Sequence, residues 1–279
     1  MEEQSICIAV LQMTSGIDPA VNGAALADAV AQAAAGGAQI LFTPEMSGCL
    51  DRDRERSAEV IASEETDTVL RAVRAAAREH GLWVHLGSLA LLEPDGGKRR
   101  NRGFLIDADG EIRARYDKIH LFDVDLPTGE SWRESSVYGG GDQAVVATMP
   151  WGKLGLSICY DLRFPALYQA LSGAGAQMLA IPAAFTVPTG EAHWHVLLHA
   201  RAIENAAFVI AAAQCGAHED GRHTYGHSLV VDPWGRVLLD AGEAPGLFFA
   251  DLPLGRVADV RGRIPVIEHR KPIESIVSE

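Results

Sequence analysis

At 279 residues and 48% hydrophobic, the chain is long enough to bury about three quarters of its unfolded surface, so a sizeable core is expected. A formal net charge of −13 argues against a nucleic-acid partner, which needs a basic face to release counterions from phosphates. Cys7, Cys49, Cys159 and Cys215 stand far apart with no C-x-x-C pair, the start MEEQSICIAVLQM is acidic, and no apolar run approaches the ~18 residues of a membrane span; neither disulfides, zinc, signal peptide nor membrane is indicated, and a cytoplasmic location is expected.

The chain opens with an apolar strand at Ile6 to Leu11. Asp18-Pro19 is a helix start, and Val21, Ala25, Ala29, Val30 and Ala33 recur at helical spacing until Gly36-Gly37. The strand QILFTPE follows, ending on Glu45. Residues 66 to 80 repeat the helical pattern with Val69, Leu70, Val73 and Ala77, closing at His80-Gly81 before the strand LWVHLGSLALL. The basic cluster Lys98 to Arg100 with Arg102, between Gly97 and Gly103, reads as a solvated hairpin loop. Asp109-Gly110 between two alternating runs in GFLIDADGEIRARY is a strong hairpin signal.

VVATMPWGKLGLSICYD reads as a second strand-turn-strand closing on Cys159, FPALYQALSGAG as a short helix, QMLAIPAAF as a strand, and HWHVLLHARAIENAA as a helix feeding the strand FVIAAAQ. HSLVVDPWGRVLLD and LFFADLPL complete a strand-rich end. No linker or composition break divides the chain, so a single domain over residues 1–279 is expected, with the tail from about 262 available for an interface. Many strands, parallel and antiparallel, with few helices imply an α/β fold of two stacked sheets with helices outside, a four-layer sandwich.

Several chemistries lack their motif. GAGAQM has no third glycine and no following helix, and neither a G-x-x-x-x-G-K nor a G-x-S-x-G is present. His195 and His199 lie one helical turn apart, but with no third ligand in view no metal and no cofactor are expected. What remains is three reactive groups where apolar strands meet loops: Glu45, Lys118 and Cys159. Each alone reads equally as an ordinary residue, namely a turn carboxylate, a surface lysine and a core cysteine.

Together they make chemical sense. A free thiol has a pKa of about 8.5 and needs a base to act as a nucleophile. A glutamate near 4.3 is about four units too acidic, a deficit of roughly 6 kcal/mol, so Glu45 could serve only if its neighbours Phe42, Pro44 and Met46 raise its pKa by apolar surroundings. Lys118 would supply the charge that steadies a thiolate and an oxyanion.

At this point the sequence resembles the nitrilase superfamily of carbon–nitrogen hydrolases over nearly its whole length. The resemblance is carried by FTPEMSG, YDKIHLFD, ICYDLRFP, AAFTVPTGEAHWHVLLHARAIEN, AAAQCG and YGHSLVVDPWG. It implies an αββα sandwich, a Glu45, Lys118, Cys159 triad, and an auxiliary glutamate at Glu134 in WRESSVYGGGD, with Glu130 as the competing candidate. It also implies homo-oligomers built through the outer helices after Cys159 and around His193 to Asn205. Within the superfamily the chain is similar to the Nit branch of amidases, which act on deaminated glutathione or ω-amides. The expected reaction is hydrolysis of a small, carboxylate-bearing amide through a Cys159 thioester, with the oxyanion held by Lys118 and the Tyr160 N–H. Phe185 and Thr186 are expected to line the substrate pocket. Arg163, four residues past Cys159, either binds a substrate carboxylate or is a structural arginine paired with Asp161 or another acid. Where the branch has HWEVLLRAR this chain has HWHVLLHAR, so His195 and His199 replace a Glu and an Arg, which puts the usual interface ion pairs in doubt. A nitrilase or N-carbamoyl amine hydrolase with the same triad, and a non-catalytic binding protein, are the alternatives.

Overall fold

A computed structural model describes residues 5–125, 129, 131–273 and 275. In chain order these form β1 (Ser5–Gln12), α1 (Pro19–Ala35), β2 (Ile40–Phe42), α2 (Arg54–Val60), α3 (Thr68–His80), β3 (Trp83–Leu91), β4 (Arg100–Ile106), β5 (Ile112–Asp117), β6 (Asp123–Asp125) and β7 (Ser131–Arg133). There follow β8 (Val145–Met149), β9 (Gly152–Leu156), α4 (Pro165–Gly173), β10 (Met178–Ala180), α5 (Val187–Asn205), β11 (Phe208–Ala211), β12 (Cys215–Ala217), β13 (His223–Tyr225), β14 (Leu229–Val231), β15 (Val237–Asp240), β16 (Gly246–Pro253) and α6 (Gly255–Arg263).

The main strands build two six-stranded sheets, ordered β16-β1-β2-β3-β4-β5 and β15-β14-β11-β10-β9-β8. In each, three central strands run parallel, β1-β2-β3 and β9-β10-β11, and the outer strands pair antiparallel. Alternation along β1 shows how the layers are made. Ile6, Ile8 and Val10 face the second sheet in one continuous core, whereas Ala9 and Leu11 join Leu26, Val30, Val69 and Val73 of α1 and α3. On the far side Leu167 and Leu171 of α4 and Trp194 and Leu198 of α5 cover the second sheet. The result is the four-layer αββα order expected from the sequence.

Local chemistry sets most boundaries. The Asp18 side chain accepts from Ala20 N–H with Pro19 next, Asp67 caps α3 by accepting from Leu70 N–H, and Gly81 ends α3 at a left-handed φ of 63°. Some expectations need correcting. The buried stripe of α1 is Asn22, Gly23, Leu26, Ala29, Val30 and Ala33, while Val21 and Ala25 face solvent. Gly23 faces Val69 of α3, and Asn22 bonds the backbone oxygens of Gly16 and Gly48. The basic cluster is not a free loop: Arg100 to Arg102 begin β4, and Arg102 is held by Asp117, Glu64 and Glu93. The helix α2, the hairpin β12-β13 and α6 carry no strong apolar pattern and were not expected; α5 begins earlier than expected, at Val187-Pro188.

The two sheets meet closely beside the ends of β2 and β9. A Cβ added to Gly87 of β3 would stand 2.1 Å from Thr43 O, 2.4 Å from Pro44 O and 2.6 Å from Pro182 Cβ. Only glycine lets these three backbones converge. Pro44 precedes Glu45, and Pro182 O accepts the Cys159 N–H at 2.9 Å, so this contact fixes the spacing between the two residues.

Candidate active site

Glu45 and Cys159 lie three residues past the ends of β2 and β9, and Lys118 directly follows β5. Neither Glu45 nor Cys159 closes its strand, as the sequence suggested. Each sits in a sharp turn: Cys159 has φ 50° and Met46, next to Glu45, has φ 55°. A left-handed conformation in such residues costs of order 1–3 kcal/mol and persists only when the surroundings over-determine it.

Asp161 supplies much of that determination at Cys159. Fully buried, it accepts from Ile158 N–H at 2.9 Å, Tyr116 O–H at 2.7 Å and His120 N–H at 3.0 Å, and lies 2.7 Å from His120 Nδ1. The carboxylate therefore ties the turn to β5 and to the segment that carries Lys118. His120 in turn stacks on Phe164 at 3.6 Å between ring centroids. With Asp161 so engaged, Arg163 does not pair with it.

Glu45, Lys118 and Cys159 are 4%, 3% and 8% exposed. Lys118 Nζ donates to Glu45 Oε1 at 2.9 Å and to both Glu134 oxygens at 3.1 and 2.9 Å. Asn101 Nδ2 donates to Glu45 Oε1 at 2.9 Å and Glu134 Oε1 at 3.3 Å; Phe122 N–H donates to Glu134 Oε2 at 2.6 Å. Glu45 Oε2 accepts from Ala184 N–H at 3.0 Å, and Gln214 Nε2 donates to the Glu45 carbonyl at 2.9 Å. The apolar cradle expected around Glu45 is thus absent from its carboxyl, which meets donors from both sheets.

Burial opposes the charge on Lys118, but Glu134 and Glu45 more than offset it and hold the ammonium well above its ordinary pKa. Burial and the neighbouring Glu45 carboxylate push the Cys159 thiol well above its usual range, with Lys118 pulling partly the other way. Cys159 is therefore a neutral thiol beside a carboxylate. Burial likewise raises Cys49, to about 11.

Glu45, Lys118, Glu134, Cys159, Tyr160, Arg163, Phe185 and Thr186 all line one cavity of about 370 Å³. The Arg163 guanidinium lies 5.5 Å from the Phe185 ring centroid and 5.9 Å from that of Tyr160, with Nη1 3.2 Å from His193 Nδ1. Arg54 and Arg99 line the same cavity, beside Ser57 and Tyr138. Among the described residues, none of these three arginines has a carboxylate within salt-bridge distance, whereas Arg133 and Arg222 pair with Asp125 and Asp220. The wall is locally positive on an acidic chain. Thr186 precedes α5 and its hydroxyl lies 2.8 Å from that of Thr189.

Glu130 lies outside the described residues. Asn101 and His120 were missed by sequence reasoning, and Asp161 was read only as a partner for Arg163 and not as the anchor of the turn; a lone Asn among alternating residues of a strand was a signal once Arg100 to Arg102 are read as β4. Arg54 and Arg99 gave none.

Residues 7–262 match the carbon-nitrogen hydrolase family. The chain is 38% identical over 273 residues to the deaminated glutathione amidase of Yersinia enterocolitica, covering 97% of this chain and 94% of that protein. Among solved structures, the C. elegans NitFhit protein superposes with a TM-score of 0.89 at 39% identity, covering 97% of this chain and 66% of that one. Saccharomyces cerevisiae Nit3, a member of branch 10 of the nitrilase superfamily, gives a TM-score of 0.85 at 27% identity over 94% of this chain and 95% of its own.

The electrostatics predict how the thiol titrates. Alkylation of Cys159 by iodoacetamide, followed by peptide mass spectrometry across pH, should rise through a midpoint above that of an ordinary thiol at about 8.5. In Glu45→Gln the repelling carboxylate is gone and Lys118 remains, so the midpoint should fall. An unchanged or higher midpoint in the variant would show that Glu45 does not control the thiol.

Proposed function

The chain belongs to the carbon–nitrogen hydrolase family and is an amide-hydrolysing enzyme, and from that premise we propose that Cys159 is its nucleophile, Glu45 its acid and base, and Lys118 and Glu134 its supporting charges, in the hydrolysis of a small carboxylate-bearing amide. The proton of the Cys159 thiol passes to Glu45 as sulfur attacks the amide carbon. The raised thiol pKa makes a free thiolate costly, so proton transfer and carbon–sulfur bond formation proceed together. Negative charge moves onto the carbonyl oxygen, where the Lys118 ammonium and the Tyr160 N–H stabilise it; that N–H makes no hydrogen bond among the described residues.

Glu45 then gives its proton to the leaving nitrogen, the carbon–nitrogen bond breaks, and the amine departs, leaving a thioester on Cys159. A water loses its proton to Glu45 and attacks the thioester, with Glu134 orienting it. The acid is released and the proton returns to sulfur, which restores the starting state.

The observation that carries the substrate class is the set of arginines without carboxylate partners on the cavity wall, Arg163 foremost. A planar guanidinium held over two aromatic faces offers a carboxylate two parallel hydrogen bonds. Deaminated glutathione and ω-amides, both acidic, fit this wall; the Yersinia relative is named for the first.

We further assign the chain to one domain that works in the cytoplasm as a homodimer or higher oligomer. Val196 and Ile203 of α5 are 70% and 53% exposed, and Trp234 and Val237, on the neighbouring β14-β15 hairpin, are 52% and 42% exposed. Patches of this kind mark association surfaces. Arg270 of the tail donates to Gln169 O and Glu204 O, so the chain at this residue lies against α4 and α5, beside the same face.

Two experiments test these assignments. With Cys159→Ala as the inactive control, Arg163→Lys should raise KM for carboxylate-bearing amides about tenfold or more, the loss of a charge-assisted contact of ~1.5–3 kcal/mol, and leave a neutral amide of similar size nearly unaffected. Equal impairment of both amides would make Arg163 a support of the Cys159 turn instead. In sedimentation velocity the wild-type chain should run as a dimer or larger, and Val196→Glu with Ile203→Glu should run as a monomer; a wild-type monomer, or no change in the variant, would remove this face from the interface.

A further inference from the structure

His195 does not pair with its helical neighbour His199, whose Nδ1 lies 2.6 Å from the His195 carbonyl. It meets instead two residues that the sequence placed far away. His195 Nε2 lies 3.1 Å from Asp240 Oδ2, and His227 Nδ1 lies 2.8 Å from Asp240 Oδ1. One ligand atom from each residue falls within 4.8 Å of the other two. We propose that His195, His227 and Asp240 form a binding site for one divalent transition-metal ion of the zinc type.

The donor set suits such an ion. Two imidazoles and one carboxylate are borderline ligands that favour Zn²⁺, Co²⁺ or Ni²⁺ over Ca²⁺ or Mg²⁺. A tetrahedral ion with bonds of 2.0–2.1 Å holds its ligands roughly 3.3 Å apart; each imidazole nitrogen already lies near one Asp240 oxygen, His195 at Oδ2 and His227 at Oδ1, and small side-chain rotations within the 4.8 Å cluster bring the three donors to that spacing. Three protein ligands leave the fourth position to water. Each imidazole must offer a lone pair, so the proton it shares with Asp240 moves to its other ring nitrogen or to solvent.

The ligands are held in place before any ion arrives. His227 adopts a left-handed φ of 53°, its N–H donates to Gly242 O at 2.7 Å, its carbonyl accepts from Trp194 Nε1 at 2.8 Å, and its ring stacks on Tyr225 at 4.6 Å. Asp240 Oδ1 also accepts from Gly242 N–H at 3.0 Å. None of the three ligands lines the substrate cavity. The ion would sit behind its wall, joined to it by Trp194, which packs on Phe185 at 4.8 Å.

The test titrates Co²⁺ into the full, chelator-treated chain, reading heat of binding and visible absorption. Wild type should bind one Co²⁺ per chain with d–d bands of nitrogen and oxygen ligation, and His195→Gln and Asp240→Asn, both at half-exposed positions, should each weaken binding at least tenfold with unchanged circular dichroism. Absence of saturable binding, wild-type affinity in either variant, or a thiolate-to-metal charge-transfer band that places the ion on a cysteine would each overturn the proposal. Should either variant fail to fold, His227→Gln replaces it with the same expectation.

Discussion

An ammonium group with 3% exposure cannot be left alone, because an unpaired charge in the interior costs several kcal/mol after relaxation. Lys118 meets that requirement by drawing Glu45 from the end of β2 and Glu134 from the segment after β7 onto one nitrogen. Asn101 of β4 bridges the same two carboxylates. The position of the lysine is thereby fixed from three directions, and the first sheet brings it to the turn that carries Cys159. Removing either carboxylate would leave a buried cation with one anionic partner in place of two, so each carboxylate supports the position of the other through the lysine.

The same cluster decides the state of the sulfur. A cysteine activated by histidine is often a thiolate before substrate arrives, and so open to oxidation. Here burial and the Glu45 carboxylate hold the Cys159 thiol well above its ordinary range, so in the reaction we propose the sulfur attacks the carbonyl as Glu45 takes its proton. The strained turn at Cys159, held by Asp161, sets the cysteine and the following Tyr160 on the wall of a preformed cavity.

That Glu45, Lys118 and Cys159 fall in the loops that follow strands was legible because apolar runs stop where sheets meet loops, although Glu45 and Cys159 lie three residues beyond their strands, and the layers were legible because β1 alternates between two cores. Other parts were hidden for definite reasons. The sequence RERSAEV of α2 buries only Ser57, so it shows no apolar stripe. Arg100 to Arg102 looked solvated because the acids that pair with Arg102, namely Glu64, Glu93 and Asp117, come from three other segments. In the alanine-rich α1, contrast between faces is weak, and the glycine and asparagine of the buried face carry no hydrophobic signal. The turn at Cys159 could not be read from LGLSICY, since it depends on Asp161, Tyr116 and His120 meeting in space.

The most direct test of the account is rapid-quench mass spectrometry of Cys159 during turnover of a carboxylate-bearing amide. The wild-type chain and Glu134→Gln should carry the acyl group as a thioester on the peptide that contains Cys159, and Glu45→Gln should show none over the same interval. Acylation of Glu45→Gln at the wild-type rate, or an acyl group on Cys7, Cys49 or Cys215, would contradict it.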